Sequence, residues 1–316
     1  HLLAHRNEAT GWGNSIAPVD SLELARMLGI VFRRRGVLPT SSHSVIIGGV
    51  YEATAFDWLP SYLRLYRALI DRSKTDRALD YLDGLLSNCV LAVMALDRLA
   101  VLHFAEDTER ANNSTIGEQR YESTSLLVAV FAALESVAWL MVTLAKATPR
   151  DRRHVGYRRL LKGEAPWARQ VGDYCPSAVS VLKTGAVPSL GLARHFRDLL
   201  EHYIPVPVAV GVFGEKSLLP VKFLERLHIG LLRAEAHGGE SPCWPEDSDR
   251  LGIIGGAVVP YPFFRVVLHD LLAVVECVLH ELCASCGAPD HVPANPHYSL
   301  HARNLGELPR LLSRTL

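Results

Sequence analysis

The sequence predicts an all-α protein, built as a helical bundle. Hydrophobic residues make up 49% of the 316 residues, enough for a sizeable buried core. Apolar residues recur at the helical period through most of the chain, whereas strand-like runs are few and short. The chain contains no internal repeat, heptad seam or low-complexity tract.

Charge and cysteine content narrow the function classes. The 33 basic and 33 acidic residues cancel, so no overall field attracts nucleic acid or an anionic membrane. Any RNA site must therefore be a local basic patch. Six scattered cysteines do not form a disulfide framework, which favours a reducing compartment and predicts a cytoplasmic protein.

The first third of the chain is predicted to be helical, with one strand-like run and one loop. Asp20 can cap the first helix, and Gly36 and Pro39 end it. The predicted elements are helices at Ser21–Arg35, Trp58–Asp71 and Lys74–Phe104, a short strand-like run at Val45–Ile47, and an exposed loop at Glu106–Gly117.

The stretch Glu122–Lys146 is the most hydrophobic predicted helix. Leu126–Ala145 is long enough to span a bilayer, but Glu135 lies in its middle, where a carboxylate in lipid is costly. A helix buried on all sides has the same composition. The sequence therefore favours the central helix of a bundle over a membrane span, and no membrane partner is expected.

Five arginines fall within Arg150–Arg159, the most basic segment of the chain. Most charge runs are solvated faces, so this segment predicts RNA binding only if it lies near a catalytic site. Arg152, Arg153 and Arg158 are its candidate RNA-binding residues.

Four further helices are predicted in the second half. They are Leu190–Tyr203, Leu219–Ala236, Phe263–Cys286 and Leu305–Leu312. Two Gly/Val-rich stretches, Val206–Phe213 and Leu251–Val259, are either short strands or buried loops.

The helix before Pro205 carries Arg197-Asp198-Leu199-Leu200-Glu201-His202, in which an arginine is separated from a histidine by four residues. The residue types suit RNA cleavage by the substrate's own 2′-hydroxyl. His202 can transfer a proton near neutral pH, Arg197 can stabilise charge on the scissile phosphate, and Asp198 can orient either side chain. Arg194, one turn earlier, is a further candidate for RNA binding.

The same spacing occurs at Arg98 and His103, and roughly one such pair is expected by chance in a chain of this composition. An apolar residue, Leu99, follows Arg98, whereas Asp198 follows Arg197. Five residues correspond to about 140° around a helix, so Arg197 and His202 converge only if the helix ends between them or a second subunit completes the site.

The run from Arg197 to His202 resembles the Arg-polar-x3-His signature of HEPN domains. The resemblance implies a helical bundle that forms a homodimer with facing motifs. It also implies a metal-independent endoribonuclease that acts in bacterial defence or a toxin–antitoxin system. The implied partners are RNA and an antitoxin or regulatory protein. It divides the chain into an N-terminal extension (1–60), a HEPN-like domain (61–286, with an insertion at about 204–260) and a C-terminal tail (287–316). A non-catalytic helical module that binds RNA, nucleotide or a protein partner is the alternative.

No cofactor and no metal are expected. Cys283 and Cys286 have the spacing of half a zinc knuckle, and His291, His297 and His301 follow, but the chain has no second Cys-x-x-Cys and the spacing fits no standard finger. Gly255 and Gly256 precede no Lys-Ser/Thr pair, so there is no P-loop.

Overall fold

The computed structural model describes most of the helical chain between residues 47 and 288. The described residues are 47–72, 77–106, 113–150, 155–184, 189–191, 193–194, 196–197, 209–210, 217–218, 253–254 and 257–288. Within them the protein is mostly helical, which confirms the predicted all-α class.

Eight helices have defined bounds. They are α1 (Ile47–Trp58), α2 (Pro60–Arg72), α3 (Ala78–Glu106), α4 (Asn113–Leu144), α5 (Tyr157–Lys162), α6 (Pro166–Tyr174), α7 (Pro176–Thr184) and α8 (Pro260–Ser285). The helical residues among 189–197, which carry Arg194 and Arg197, are called the motif helix. Two antiparallel ladders pair β1 (Ala209–Val210) with β2 (Ser217–Leu218) and β3 (Ile253–Ile254) with β4 (Ala257–Val258).

The two longest helices, α3 and α4, form an antiparallel hairpin. The Arg98 guanidinium lies 3.0 Å from Glu122 Oε1 at one end of the hairpin, and Tyr81 stacks on Trp139 toward the other, with ring centroids 5.5 Å apart. Every third or fourth side chain on the inner face is apolar and buried, as the helical repeat requires. The hairpin is the largest helix–helix interface of the bundle.

Helix α8 lies against this hairpin and completes the core. It packs against α1, α2, α3, α4 and α7, and its Phe263, Leu271 and Leu279 are fully buried. Its Glu276 carboxylate accepts hydrogen bonds from the backbone amide of Ser61, at 3.1 and 3.2 Å, and from the Ser61 hydroxyl. Glu276 thereby satisfies the Ser61 amide, one of those that the first turn of α2 leaves without an intrahelical acceptor.

Three long helices confirm the sequence prediction, and two other predictions are wrong in part. The predicted Lys74–Phe104, Glu122–Lys146 and Phe263–Cys286 correspond to α3, α4 and α8. Ile47, placed in a strand-like run, begins α1, because its neighbours Tyr51 and Ala55 bury a helical face. The loop predicted to continue to Gly117 instead enters α4 at Asn113.

Further predicted elements fall partly or wholly beyond the described residues. The two Gly/Val-rich stretches, predicted as short strands or buried loops, contain β1 and the β3–β4 ladder, so they form short strands at those positions. The helices predicted at Ser21–Arg35, Leu219–Ala236 and Leu305–Leu312 lie outside the described residues. The predicted domain boundary between residues 60 and 61 falls in the first turn of α2, and Tyr51 and Ala55 of α1 share the core of the bundle.

Two helical stretches, Ala78–His103 and Gly117–Leu144, are long and apolar enough to cross a membrane. In their most apolar windows, 56% and 67% of the residues are buried inside the protein. Core helices of a bundle have this same length and composition, so the pair is weak evidence for a membrane span.

Candidate functional site

The motif helix lies between α8 and α4. The buried Ser189 hydroxyl hydrogen-bonds with the Asp270 carboxylate of α8 where the described part of this helix begins. Leu190, Ala193 and Phe196 are buried, and the Phe196 ring meets Phe263 edge-on with centroids 5.5 Å apart. A polar contact and an apolar seam on α8 therefore fix the position of Arg197.

Arg197 packs on α4. Its guanidinium carbon lies 5.1 Å from the centre of the Phe131 ring, within the range of a cation–π contact. The side chain is half-buried. Asp198 and His202, the other two predicted catalytic residues, lie outside the described residues.

One turn along α4 from Phe131, Glu135 holds the start of α5. The backbone amide of Tyr157 donates a 3.0 Å hydrogen bond to Glu135 Oε2. Gly156 passes so close that a Cβ there would lie 3.1 Å from the same oxygen. The carboxylate that interrupts the apolar stretch of α4 thus has a structural partner.

Arg194 belongs to this cluster. Burial raises the pKa of the Tyr157 hydroxyl to about 12, an effect that the nearby Arg194 guanidinium opposes and Glu135 reinforces. Arg194 is half-buried. Its position near Tyr157 indicates a role in joining the motif helix to α5, in addition to the predicted contact with RNA.

The basic segment and the motif helix are consequently neighbours. Arg158 and Arg159 are exposed on α5, and Lys162 is exposed at the last turn of that helix. Arg152 and Arg153 lie outside the described residues. The described half of the basic segment is joined through Glu135 to the part of α4 on which Arg197 rests.

The second Arg-x4-His pair, Arg98 and His103, makes contacts that join helices of the bundle. Arg98 donates a 3.0 Å hydrogen bond to Glu122, which raises the pKa of the arginine, and its side chain is otherwise 58% exposed. The His103 ring packs on Tyr261 with centroids 5.3 Å apart. These contacts tie α3 to α4 and α8.

Sequence reasoning missed a polar cluster at the N-terminal half of α4. Gln119 and Ser123 occupy core-facing positions and are 2% and 0% exposed. Gln119 Oε1, Ser123 Oγ and the neighbouring Arg120 Nε are buried and have no hydrogen-bond partner in the described part of the structure. Polar residues at i and i+4 on an apolar helical stripe were the signal that could have revealed this cluster.

Four cysteines among the described residues are buried thiols (Cys89, Cys175, Cys283 and Cys286), whereas Cys277 is exposed. Burial raises the pKa of Cys89 and Cys175 to about 12 and that of Cys283 to about 11. Cys286 is also buried, whereas His291, His297 and His301 lie outside the described residues. In the described ranges, no three histidine, cysteine or acidic side chains are grouped so that they could hold a metal ion.

Comparisons with known protein families, curated proteins and solved structures find no match for this chain. The features that bear on function are therefore the bundle, the motif helix with its half-buried Arg197, and the adjoining basic helix α5.

Proposed function

We propose that this protein is a metal-independent endoribonuclease of HEPN type. The observation that carries the proposal is the placement of Arg197 over Phe131, one turn along α4 from the residue that anchors the basic helix α5. Four residues of helix rise span about 6 Å, so the start of α5, which carries the exposed Arg158 and Arg159, and the motif arginine are held about one turn apart on the same side of α4. A local basic patch of this kind is what a chain of zero net charge requires to bind RNA.

The proposed reaction needs one proton transfer on each side of the scissile phosphate and stabilisation of charge on it. The 2′-hydroxyl loses its proton to His202 and attacks phosphorus. The bond to the 5′-oxygen breaks, and that oxygen takes up a proton, leaving a 2′,3′-cyclic phosphate and a 5′-hydroxyl. Arg197 stabilises the extra negative charge on the phosphoryl oxygens, and Asp198 orients Arg197 or His202. DNA lacks the attacking hydroxyl and is not a substrate.

The proposal includes a homodimer and a cytoplasmic role in bacterial defence or a toxin–antitoxin system, with an antitoxin or regulatory protein as a further partner. Leu91 on α3 and Val128 on α4 support self-association, because these large apolar side chains are 53% and 59% exposed. The antiparallel register set by Arg98 and Glu122 brings the two positions to neighbouring turns of the hairpin.

The test is RNA cleavage by purified protein in the presence of EDTA. We expect Arg197→Ala and His202→Ala each to abolish cleavage without loss of helical content, and the double variant to be scarcely worse than either, because residues that act as a unit are not additive. A substrate with 2′-O-methyl groups should resist the parent protein.

The second Arg-x4-His pair offers a matched control. Arg98→Gln with His103→Gln should retain cleavage, since these side chains contact Glu122 and Tyr261. Full activity of purified His202→Ala would overturn the catalytic assignment. RNA binding without cleavage by the parent protein would favour the non-catalytic helical module.

A further inference from the structure

The Phe131 ring lies at the edge of the core, on the side of α4 that meets the motif helix. Leu127 and Leu134 of the same helix are fully buried, whereas Val128 is 59% exposed. Three residues of helix leave Phe131 only about 60° around α4 from the exposed Val128 side chain. The ring is nevertheless only 4% exposed. Neighbouring groups therefore cover it, and the Arg197 guanidinium is one of them.

Arg197 lies over this ring as a half-buried cation. Its guanidinium carbon is 5.1 Å from the ring centre. The electron density on the face of an aromatic ring attracts a cation, and partial removal from water strengthens that attraction. A carboxylate partner would instead engage the same forked N–H pairs through which an arginine binds phosphate. A contact with a ring can thus orient a guanidinium without supplying an oxygen that competes with RNA.

The backbone of Arg197 is positioned by other contacts. The Ser189 hydroxyl hydrogen-bonds with Asp270, and the buried Phe196 ring meets Phe263 with centroids 5.5 Å apart. These contacts fix the motif helix on α8. They leave the arginine side chain free to rotate about several bonds, and such long side chains have the most rotamers to lose. Phe131 contacts the far end of the side chain and restricts the rotation that the helix contacts do not.

The orientation of this guanidinium bears on the rate of the proposed reaction. Charge that builds up on a phosphoryl group is stabilised best by donors that are already in place when the reaction occurs. Small displacements of a group that acts in the transition state are costly, even when the residue that caused them is remote from the chemistry. A residue that fixes Arg197 would therefore accelerate the chemical step without touching the RNA.

We infer that Phe131 is a positioning residue, whose aromatic ring holds the Arg197 guanidinium in the orientation that meets the scissile phosphate. It is the ring, and not only its apolar volume, that does this. The role in the chemical step rests on the proposed function, whereas the coupling between the ring and the guanidinium can be measured without RNA.

The first experiment changes the electrons of the ring and keeps its shape. Trifluorophenylalanine at position 131 has nearly the size of phenylalanine, but its fluorines withdraw electron density from the face of the ring and weaken its attraction for a cation. For RNA cleavage in EDTA, kcat should fall by up to about tenfold while KM changes little, because the lost interaction is made in the transition state. A ring with one fluorine should give an intermediate value. An equal kcat for all three rings would overturn the inference.

Trp139→Leu is the matched control for Phe131→Leu. Trp139 lies about two turns further along α4 and stacks on Tyr81 of α3, with ring centroids 5.5 Å apart. Each substitution removes an aromatic contact of the same helix, so both should lower the Tm. Only Phe131→Leu should also lower kcat, by about tenfold to a hundredfold. An equal kcat for the two variants would leave Phe131 a role in packing alone and overturn the inference.

A double-mutant cycle tests the coupling in the absence of RNA. Urea unfolding is measured for the parent, Phe131→Leu, Arg197→Gln and the double variant. Arg197→Gln should lower the urea midpoint less in the Phe131→Leu background than in the parent, because the contact is already lost there. Equal shifts in both backgrounds would overturn the inference.

The cycle also separates this inference from the proposed function. A parent protein that cleaves no RNA, with non-additive shifts in the cycle, would refute catalysis and retain the hold of Phe131 on Arg197. A parent that cleaves RNA, with additive shifts and a kcat that is indifferent to fluorination, would retain the nuclease and refute the role of Phe131.

Discussion

The Glu276 carboxylate of α8 provides hydrogen-bond acceptors at the N-terminus of α2, a role that an N-cap side chain of the same segment usually fills. Its carboxylate meets the Ser61 amide and hydroxyl, and Cys283 donates a 3.5 Å hydrogen bond to the Ser61 carbonyl. Burial raises the pKa of Glu276 above its ordinary value of 4.5, and the bonds from Ser61 and the charges of His280 and Arg64 oppose that rise. The net effect is a carboxyl group that holds its proton more tightly in the folded protein.

The pH dependence of stability follows from this shift. The contribution of Glu276 to the free energy of unfolding is fully present below pH 4.5 and is lost as the pH rises through the raised pKa. Glu276→Gln does not titrate, so the stability of the parent relative to this variant should fall with increasing pH and then level off. Urea unfolding of both proteins from pH 4.5 to pH 7.5 measures the difference.

Glu164→Gln is the control for that series, because the Glu164 side chain is exposed and only its backbone carbonyl is engaged, by Arg169. Its stability relative to the parent should not follow the pH profile of Glu276→Gln. A pH-independent difference between parent and Glu276→Gln would contradict the assignment.

At the scale of elements, the Glu135 carboxylate of α4 holds the start of α5, whose Tyr157 and Leu160 side chains are buried in the core. Removing that carboxylate in Glu135→Ala should lower the stability by about 1–3 kcal/mol, because the Tyr157 amide loses its acceptor. It should also weaken RNA binding and flatten its salt dependence, since Arg158 and Arg159 are no longer held beside the motif helix. Binding of uncleavable RNA at several salt concentrations measures the RNA affinity and its salt dependence.

Glu135→Gln retains an oxygen that can accept from the Tyr157 amide and should recover much of both properties. If folded Glu135→Ala binds RNA with the affinity and salt dependence of the parent, α5 does not contact the RNA.

The sequence predicted the long elements well and the short ones poorly. Helices α3, α4 and α8 each contain several turns of apolar periodicity, and that repetition outweighs any local ambiguity. Helices α6 and α7 have nine residues each and begin with Pro166 and Pro176, and the sequence analysis predicted no element there, because a helix this short contains few repeats of the apolar pattern. Ile47, the last residue of the predicted strand-like run, begins α1 instead, because β-branched residues favour either structure when tertiary contacts are unknown.

At the scale of the whole molecule, the two apolar helices of the hairpin are expected to belong to the bundle. Their core faces are buried against α8 and α1. Glu135, in the middle of the apolar stretch Leu126–Ala145, bonds with α5, an arrangement that lipid around α4 would disrupt. The protein should therefore remain in the supernatant after high-speed centrifugation without detergent. Recovery in a membrane fraction that resists alkaline carbonate would contradict this expectation.

The candidate site was predictable only in part. The Arg-polar-x3-His pattern predicts Arg197 as a candidate, but its proximity to Phe131 and to the anchor of α5 depends on helix packing that no local pattern contains. The cluster of Gln119, Arg120 and Ser123 escaped detection for a related reason. Polar residues on a helix become informative only when their burial is known, and burial is a property of the assembled bundle.

The position of α8 in the chain has a consequence for synthesis. The α3–α4 hairpin is made of neighbouring segments and can form as soon as residue 144 has left the ribosome. Helix α8 packs against five other helices and holds Ser189 through Asp270. It emerges more than a hundred residues later. A nascent chain therefore exposes the apolar inner face of its hairpin for seconds and lacks the support for its motif helix during that time. An enzyme that degrades RNA would thus acquire activity only after the ribosome has translated past residue 285.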